Sequence, residues 1–327
     1  MKFLKGFLLS LVAVLMLAAC SEKEAEPEKQ NESNNEQVSE QTEFPITVVD
    51  GRGKEITIKE KPTNIVSTTL AVDEYLIDLT SLENIAAVTQ ISTDAGISNV
   101  AGKTDTIASK FETVTAEQVL ALNPDLVIIP SYVNPEVLDQ LDSAGITTFQ
   151  VIDDSSFDGI LKTLKTIGDI IGEKEKASEL VADIQKRIDT LKANAEKVEE
   201  KPRVLYFTEY LSSVTGKTTI GEMIELAGGV NVIEEAGIVG DAYPDYPNVS
   251  KEVVVELNPQ VIFTTAWGST PGVEPAFVTE WKNDPALANV DAIKNNQIYV
   301  LDGANVTTAS HYVIEGAEEM ASILNKE

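Results

Sequence analysis

The chain has 327 residues, room for two domains, and carries a formal net charge of −28. So acidic a surface repels nucleic acid, and the charge otherwise serves solubility. One cysteine, Cys20, excludes a disulfide framework and a thiolate metal cluster, and one histidine, His311, excludes the several-histidine site of a bare zinc or manganese receptor.

Residues 1–19 begin with Lys2 and Lys5 and continue as an apolar run, Phe7 to Ala19. This reads as a secretory signal, too short for a comfortable membrane span. The run ends Leu17-Ala18-Ala19-Cys20, which resembles a bacterial lipobox. That resemblance implies cleavage before Cys20, a lipidated thiol and an acylated amine; the alternative is an ordinary signal peptide with a chance cysteine. Residues 20–43 are rich in Glu, Asn, Gln and Ser, and read as a disordered acidic tether.

Folding is expected from Phe44. Ile46–Val49 and Glu55–Ile58 flank Asp50-Gly51-Arg52-Gly53, a hairpin pattern. Strands are expected at Ile65–Ser67, Ile85–Val88, Leu126–Ile129 and Thr147–Ile152. Helices are expected at Ala71–Leu79, Pro135–Ala144 and Phe157–Ile171. The alternation argues for parallel βαβ units over residues 44–173. Lys174–Val198 places Ala177, Leu180, Val181, Ile184, Ile188, Leu191 and Ala195 on one helical stripe. At 1.5 Å per residue this helix reaches about 38 Å, enough to join two lobes. Residues 199–327 repeat the strand and helix alternation, from Arg203–Phe207 to a terminal helix over His311–Leu324.

The two flanks of the long helix resemble each other. Thr115-Ala-Glu117 leads through Leu122-Asn123-Pro124 to Leu126–Ile129, and Ser250-Lys-Glu252 leads through Leu257-Asn258-Pro259 to Val261–Thr264. Each copy reads as a hydroxyl N-cap, a short helix with Glu in its first turn, a stop at Asn-Pro and a buried strand. The fold class is therefore α/β: two Rossmann-like lobes joined by one long spanning helix. Enzymatic signatures are weak. Gly216-Lys217-Thr218 resembles the end of a phosphate-binding loop, but Leu211 stands where that loop needs glycine. No G-x-S-x-G elbow is present, and no carboxylate pair is placed by a recognisable motif.

The hairpin, Lys61-Pro62-Thr-Asn-Ile65-Val66, Ala121–Val127, the long helix, Ile220–Val232 and Leu257-Asn258-Pro259 together resemble the helical-backbone (class III) substrate-binding proteins of ABC importers. The resemblance covers Phe44 to the end of the chain. It implies a membrane-tethered, extracytoplasmic monomer with no catalytic role and no resident cofactor. Such a receptor delivers a ferric siderophore, haem or cobalamin to an ABC permease dimer with its ATPase. It also implies that one glutamate per lobe docks on the permease, and Glu117 and Glu252 occupy the matching places; the alternative role is to complement a helix N-terminus. An extracytoplasmic enzyme or chelatase on this scaffold, or a purely structural lipoprotein, are the readings from other classes.

In such a fold the ligand lies between the lobes, beyond the carboxyl ends of the parallel strands. That rule selects Thr68, Thr69, Phe111, Tyr132, Tyr210, Tyr246, Trp267 and His311. For each aromatic the alternative is core packing, and for His311 a capping or surface role. Phe111 and Tyr246 match positions that carry ring-contacting tryptophans in cobalamin-binding members. In a haem-binding member Phe111 lies close to the methionine ligand and Trp267 matches the histidine ligand, and neither Phe nor Trp ligates iron. The chain has only three arginines, Arg52, Arg187 and Arg203. A cleft without an arginine cluster favours a ligand of low charge, such as a ferric hydroxamate or a tetrapyrrole, with Lys103, Lys110 and Lys217 as the alternative sources of weaker charge.

Overall fold

The computed structural model describes residues 43–152, 154–265 and 274–325. The proposed signal peptide, Cys20, nearly all of the tether and Trp267 lie outside the described residues. No helix among the described residues is long and apolar enough to cross a membrane.

The hairpin is β1 (Ile46–Val49) against β2 (Glu55–Ile58), antiparallel, with Ile46 opposite Ile58. Arg52 in its turn bridges Asp50 at 2.6 Å and Asp142 at 3.0 Å, which pins the hairpin to the first lobe. That lobe contains β3 (Ile65–Ser67), α1 (Leu70–Leu79), β4 (Ile85–Thr89), β5 (Ser109–Phe111), α2 (Ala116–Ala121), β6 (Leu126–Ile129), α3 (Pro135–Ser143), β7 (Thr148–Gln150) and α4 (Phe157–Ile170). Its sheet is parallel in the order β5-β4-β3-β6-β7. The long helix is α5 (Lys174–Ala195), 22 residues. It stops three residues before the expected Val198, because Glu196 to Val198 leave the helix through a turn.

The second lobe contains β8 (Arg203–Tyr206), α6 (Thr219–Leu226), β9 (Val230–Asn231), α7 (Val232–Glu235), α8 (Lys251–Leu257), β10 (Val261–Thr265), α9 (Ala276–Lys282), α10 (Asp291–Lys294), β11 (Ile298–Leu301), α11 (Gly303–Val306) and α12 (Val313–Leu324). Its parallel sheet runs β11-β10-β8-β9. In both lobes the first strand lies beside the strand of the repeated unit: β3 pairs with β6, and β8 with β10. The strand order reverses at these two places, which are the switch points where α/β sheets bind ligands.

The repeat is also physical. Thr115 and Ser250 cap α2 and α8 by accepting from the backbone N–H of Gln118 and Val253. Asn123 and Asn258 then take left-handed φ values of 50° and 43°, which Asn tolerates better than most residues. The proline that follows each prevents the helix from resuming.

Strand side chains alternate between two cores, as the two-residue period requires. Ile65, Leu126, Ile128, Val204, Tyr206 and Phe263 face an inner cluster, together with Ile184, Ile188 and Leu191 of α5. Val66, Val127 and Ile129 face an outer cluster of the first lobe, and Leu205, Phe207 and Ile262 one of the second. The inner cluster is continuous through both lobes, so α5 is fixed to each of them. It packs on α4 in the first lobe and on α6 and α12 in the second. The approach of α4 to α5 depends on Gly168, where an added Cβ would stand 2.2 Å from the Cβ of Ala177. Gly168→Val is expected to destabilise the protein by about 3 kcal/mol, read from its denaturation midpoint. An unchanged midpoint would show that the two helices can move apart freely.

Candidate interlobe binding cleft

A cavity of about 800 Å³ opens beyond the carboxyl ends of all five strands of the first lobe. Thr68 and Thr69 follow β3, Gln90 to Asp94 follow β4, Phe111 closes β5, Pro130 to Tyr132 follow β6, and Val151 and Ile152 follow β7; all but Ser92 of these line it. Ile160 and Thr163 of α4 form its floor, and Thr307 to Ala309 enter from the second lobe. A smaller cavity of about 230 Å³ is lined by Tyr206, Thr208, Ser212, Ser213 and Tyr246 of the second lobe. Both cavities share Ser155, Thr307 and Ala309, so they are adjoining compartments of one interlobe cleft.

The structure brings Thr68, Thr69, Phe111 and Tyr132 to the larger compartment and Tyr246 to the smaller one. Thr68 is buried and donates its hydroxyl to the carbonyl of Ile128 at 3.2 Å, so it shapes the wall. The Thr69 and Tyr132 hydroxyls meet at 3.3 Å, and Tyr132 is 79% exposed at the mouth. Phe111 belongs to both readings, since it is buried in the outer core and its ring still forms cavity wall. Tyr206, within the strand expected at Arg203–Phe207, lines the small compartment, and its hydroxyl meets that of Thr265 at 2.7 Å. Burial pushes its phenol up to about 12.

Two expected residues lie elsewhere. Tyr210 is 77% exposed on the loop after β8 and lines neither compartment. His311 is only 4% exposed, sits against α1 and lines neither compartment. Its Nε2 lies 2.9 Å from Asp78 Oδ2, and its ring stacks on Tyr75. The displacement comes from α11, a four-residue helix capped by Asp302 that the sequence does not announce. It uses up part of the chain after β11, so the loop reaches the cleft with Thr307 to Ala309. A carboxylate–histidine pair therefore exists, but it is outside the cleft lining.

His311 belongs to a polar seam that ties the lobes together. Glu74 accepts from the Asn99 backbone N–H at 2.9 Å and from the Ser310 hydroxyl. Asp78 accepts from the Tyr312 hydroxyl at 2.6 Å and from Lys103 at 3.3 Å. Beside the seam and within the first lobe, Asp73 accepts from the backbone N–H of Thr89 at 3.1 Å and from its hydroxyl. Burial raises the Asp73 and Glu74 carboxyls to about 7 each, whereas the hydrogen bonds from His311 and Tyr312 outweigh desolvation and hold Asp78 at about 2. A second seam closes the other side, where Thr219 donates to the Ser155 carbonyl at 2.5 Å and Glu222 accepts from the first N–H of α4 at 2.8 Å. Three acidic residues inside the apolar pattern of α1, Asp73, Glu74 and Asp78, were the available signal for the first seam.

Glu117 and Glu252 lie exposed in the first turns of α2 and α8, one on each lobe. Backbone and Ser250 hydrogen bonds hold the Glu252 carboxyl below the usual range. Among the described residues no three His, Cys, Asp or Glu side chains are grouped to hold a bare metal ion.

Comparison with known proteins agrees with this architecture. Residues 65–304 match the family described as periplasmic binding protein. The chain is similar to the ABC transporter substrate-binding lipoprotein YvrC of Bacillus subtilis, 30% identical over 325 residues, which is 95% of this chain and 93% of that protein. It is 28% identical over 262 residues to a cobalamin-binding protein of Halobacterium salinarum, spanning 78% of this chain and 69% of the relative. In fold it resembles the apo periplasmic haem-binding protein RhuT of Roseiflexus sp. RS-1, with a TM-score of 0.66 and 23% identity over 80% of this chain and 97% of that one. The chain thus belongs to the periplasmic binding protein family, as a substrate-binding component of an ABC transporter and not an enzyme.

Proposed function

We propose that the protein is a lipid-anchored, extracytoplasmic and monomeric receptor that captures a metal chelate in the interlobe cleft and hands it to its permease. The lobes would comprise residues 44–173 and 199–327, joined by the helix within 174–198. Cys20 would carry the lipid and residues 20–43 the tether. The observation that supports this reading best is the cleft itself. Its 800 Å³ compartment suits a drug-sized or larger ligand, has both apolar and hydroxyl walls, and lies at a strand-order switch point. A ferric hydroxamate-type siderophore is the first ligand class. A corrinoid or haem is the second, favoured by the names of the similar proteins. The chelator would bring the metal already ligated. Thr69, Phe111 and Tyr132 would hold it from one lobe and Tyr246 from the other, while Tyr210 would act only at the rim and His311 would brace the seam between the lobes.

The full chain in detergent, titrated with ferric hydroxamates, ferric catecholates, haemin and cobalamin, is expected to show saturable one-to-one binding of one class. Tyr132→Ala and Tyr246→Ala are each expected to weaken that binding roughly tenfold, as loss of an aromatic contact typically does. Absence of binding by every chelate would overturn the receptor reading for this class of solute.

A further inference from the structure

We propose that the cleft selects its chelate by charge, admitting neutral and cationic complexes and rejecting anionic ones. The inference rests on the receptor reading and specifies its ligand: it ranks a hydroxamate or corrinoid complex above haem, whose two propionates make it anionic. Among the described residues no Lys or Arg lines either compartment. The stretch that follows β10, residues 266–273, reads AWGSTPGV and has no ionisable side chain, and residue 153 is an aspartate. All three arginines are engaged away from the cleft. Arg52 is held by Asp50 and Asp142, Arg187 by Glu315 at 2.8 Å and Glu318 at 2.5 Å, and Arg203 by Glu235 and the Leu257 carbonyl.

The charges that do face the larger compartment are all carboxylates: Asp94, Glu112 and Asp154. The Ser156 hydroxyl, at 2.6 Å, keeps the Asp154 carboxyl below the usual range. The remaining polar lining is hydroxyl and amide. Such groups can replace water around a neutral carbonyl or hydroxamate oxygen, but offer no counter-charge to a carboxylate or catecholate. An anion entering this cleft would lose hydration without gaining an ion pair, and would meet three like charges. A cation would gain from all three and from the acidic surface outside, which concentrates cations at the mouth.

The test uses sets of related chelates that differ chiefly in charge, bound to the full chain in detergent. One series is ferrioxamine B, its N-acetyl derivative and its N-succinyl derivative, whose ferric complexes carry one positive, no and one negative charge. Two further sets are aquacobalamin and cyanocobalamin with a cobalamin monocarboxylate, and haemin dimethyl ester with haemin. Within whichever set binds, affinity is expected to fall from cationic or neutral to anionic, roughly 100-fold across the full span in low salt. The double variant D94N/E112Q is expected to narrow that ratio by about tenfold. An anionic member that binds as tightly as its neutral partner overturns charge selection while leaving the receptor reading intact. Failure of every member to bind overturns the receptor reading, and the charge selection with it.

Discussion

Reversing the charge at both Glu117 and Glu252, as E117K/E252K, is expected to abolish uptake and leave chelate affinity within about twofold of the parent. The two side chains are exposed on matching turns of the repeated unit, so each lobe presents one carboxylate in the same local frame. Neither lines the cleft, so neither can contribute directly to ligand affinity. A permease that reads one negative charge on each lobe would meet repulsion at both sites, and charge juxtaposition of this kind acts strongly on association. Each single reversal should leave part of the transport, because the other lobe still docks. A mere helix-capping role makes a different forecast: folding would weaken slightly and uptake would follow the amount of folded protein. Uptake per folded receptor, measured in cells for the two single variants and the double, separates these outcomes. Loss of chelate affinity in the double variant would contradict the docking assignment.

The second large effect is on stability against pH. Asp73 and Glu74 have folded pKa values of about 7, well above the ordinary carboxylate range, because burial disfavours their charged forms. A raised folded pKa contributes stability that is complete below the unfolded pKa and is lost as pH rises through the folded one. Asp78 behaves oppositely. Its folded value of about 2 contributes stability above the unfolded pKa that is lost as pH falls toward 2. The seam should therefore be most stable near about pH 4, between the two transitions, and weaken as pH rises from about 4 to about 7. Together the two carboxyls are expected to change stability by roughly 2–4 kcal/mol across that window. For a folded unit of this size that amounts to several degrees in the unfolding midpoint. The variant D73N/E74Q keeps acceptors for Thr89 and Asn99 and removes the titration, so its midpoint should change much less between pH 5.5 and 8. Equal pH slopes for the parent and the variant would show that the two carboxyls are already ionised in the fold.

Much of this architecture is visible in the residues, for physical reasons that differ by element. The long helix is legible because its apolar stripe is regular and Ala177, Ile184, Ile188, Leu191 and Ala195 are all buried as the stripe requires. The duplicated unit is legible because Leu-Asn-Pro imposes the same stop twice. Short pieces are not legible. β5 is Ser-Lys-Phe, with no apolar alternation, and exists because Thr89 and its neighbours offer it an edge. β9 has two residues and α11 four, too few for any period to show. Those omissions explain the site. Thr68, Thr69, Phe111, Tyr132 and Tyr246 follow from the strand-end rule and reach the cleft, whereas His311 is carried past it by α11. The polar seams escaped for another reason: Glu74 with Ser310, and Glu222 with Phe157, are partners far apart in sequence that only the meeting of two lobes brings together. Lys217-Thr218, which resembles a phosphate loop, has an ordinary use, since Thr218 caps α6 by accepting from the Gly221 N–H at 3.0 Å.

The most direct measurement is the position of the metal in a crystal of the chelate complex, located by its anomalous scattering. The metal is expected between the lobes, within the compartment bounded by Thr69, Phe111 and Tyr132 on one side and Thr307 to Ala309 on the other. No lysine or arginine should lie in contact with the chelator. A metal found outside that compartment, or ligated by His311 after rupture of its contact with Asp78, would contradict the assignment of the cleft.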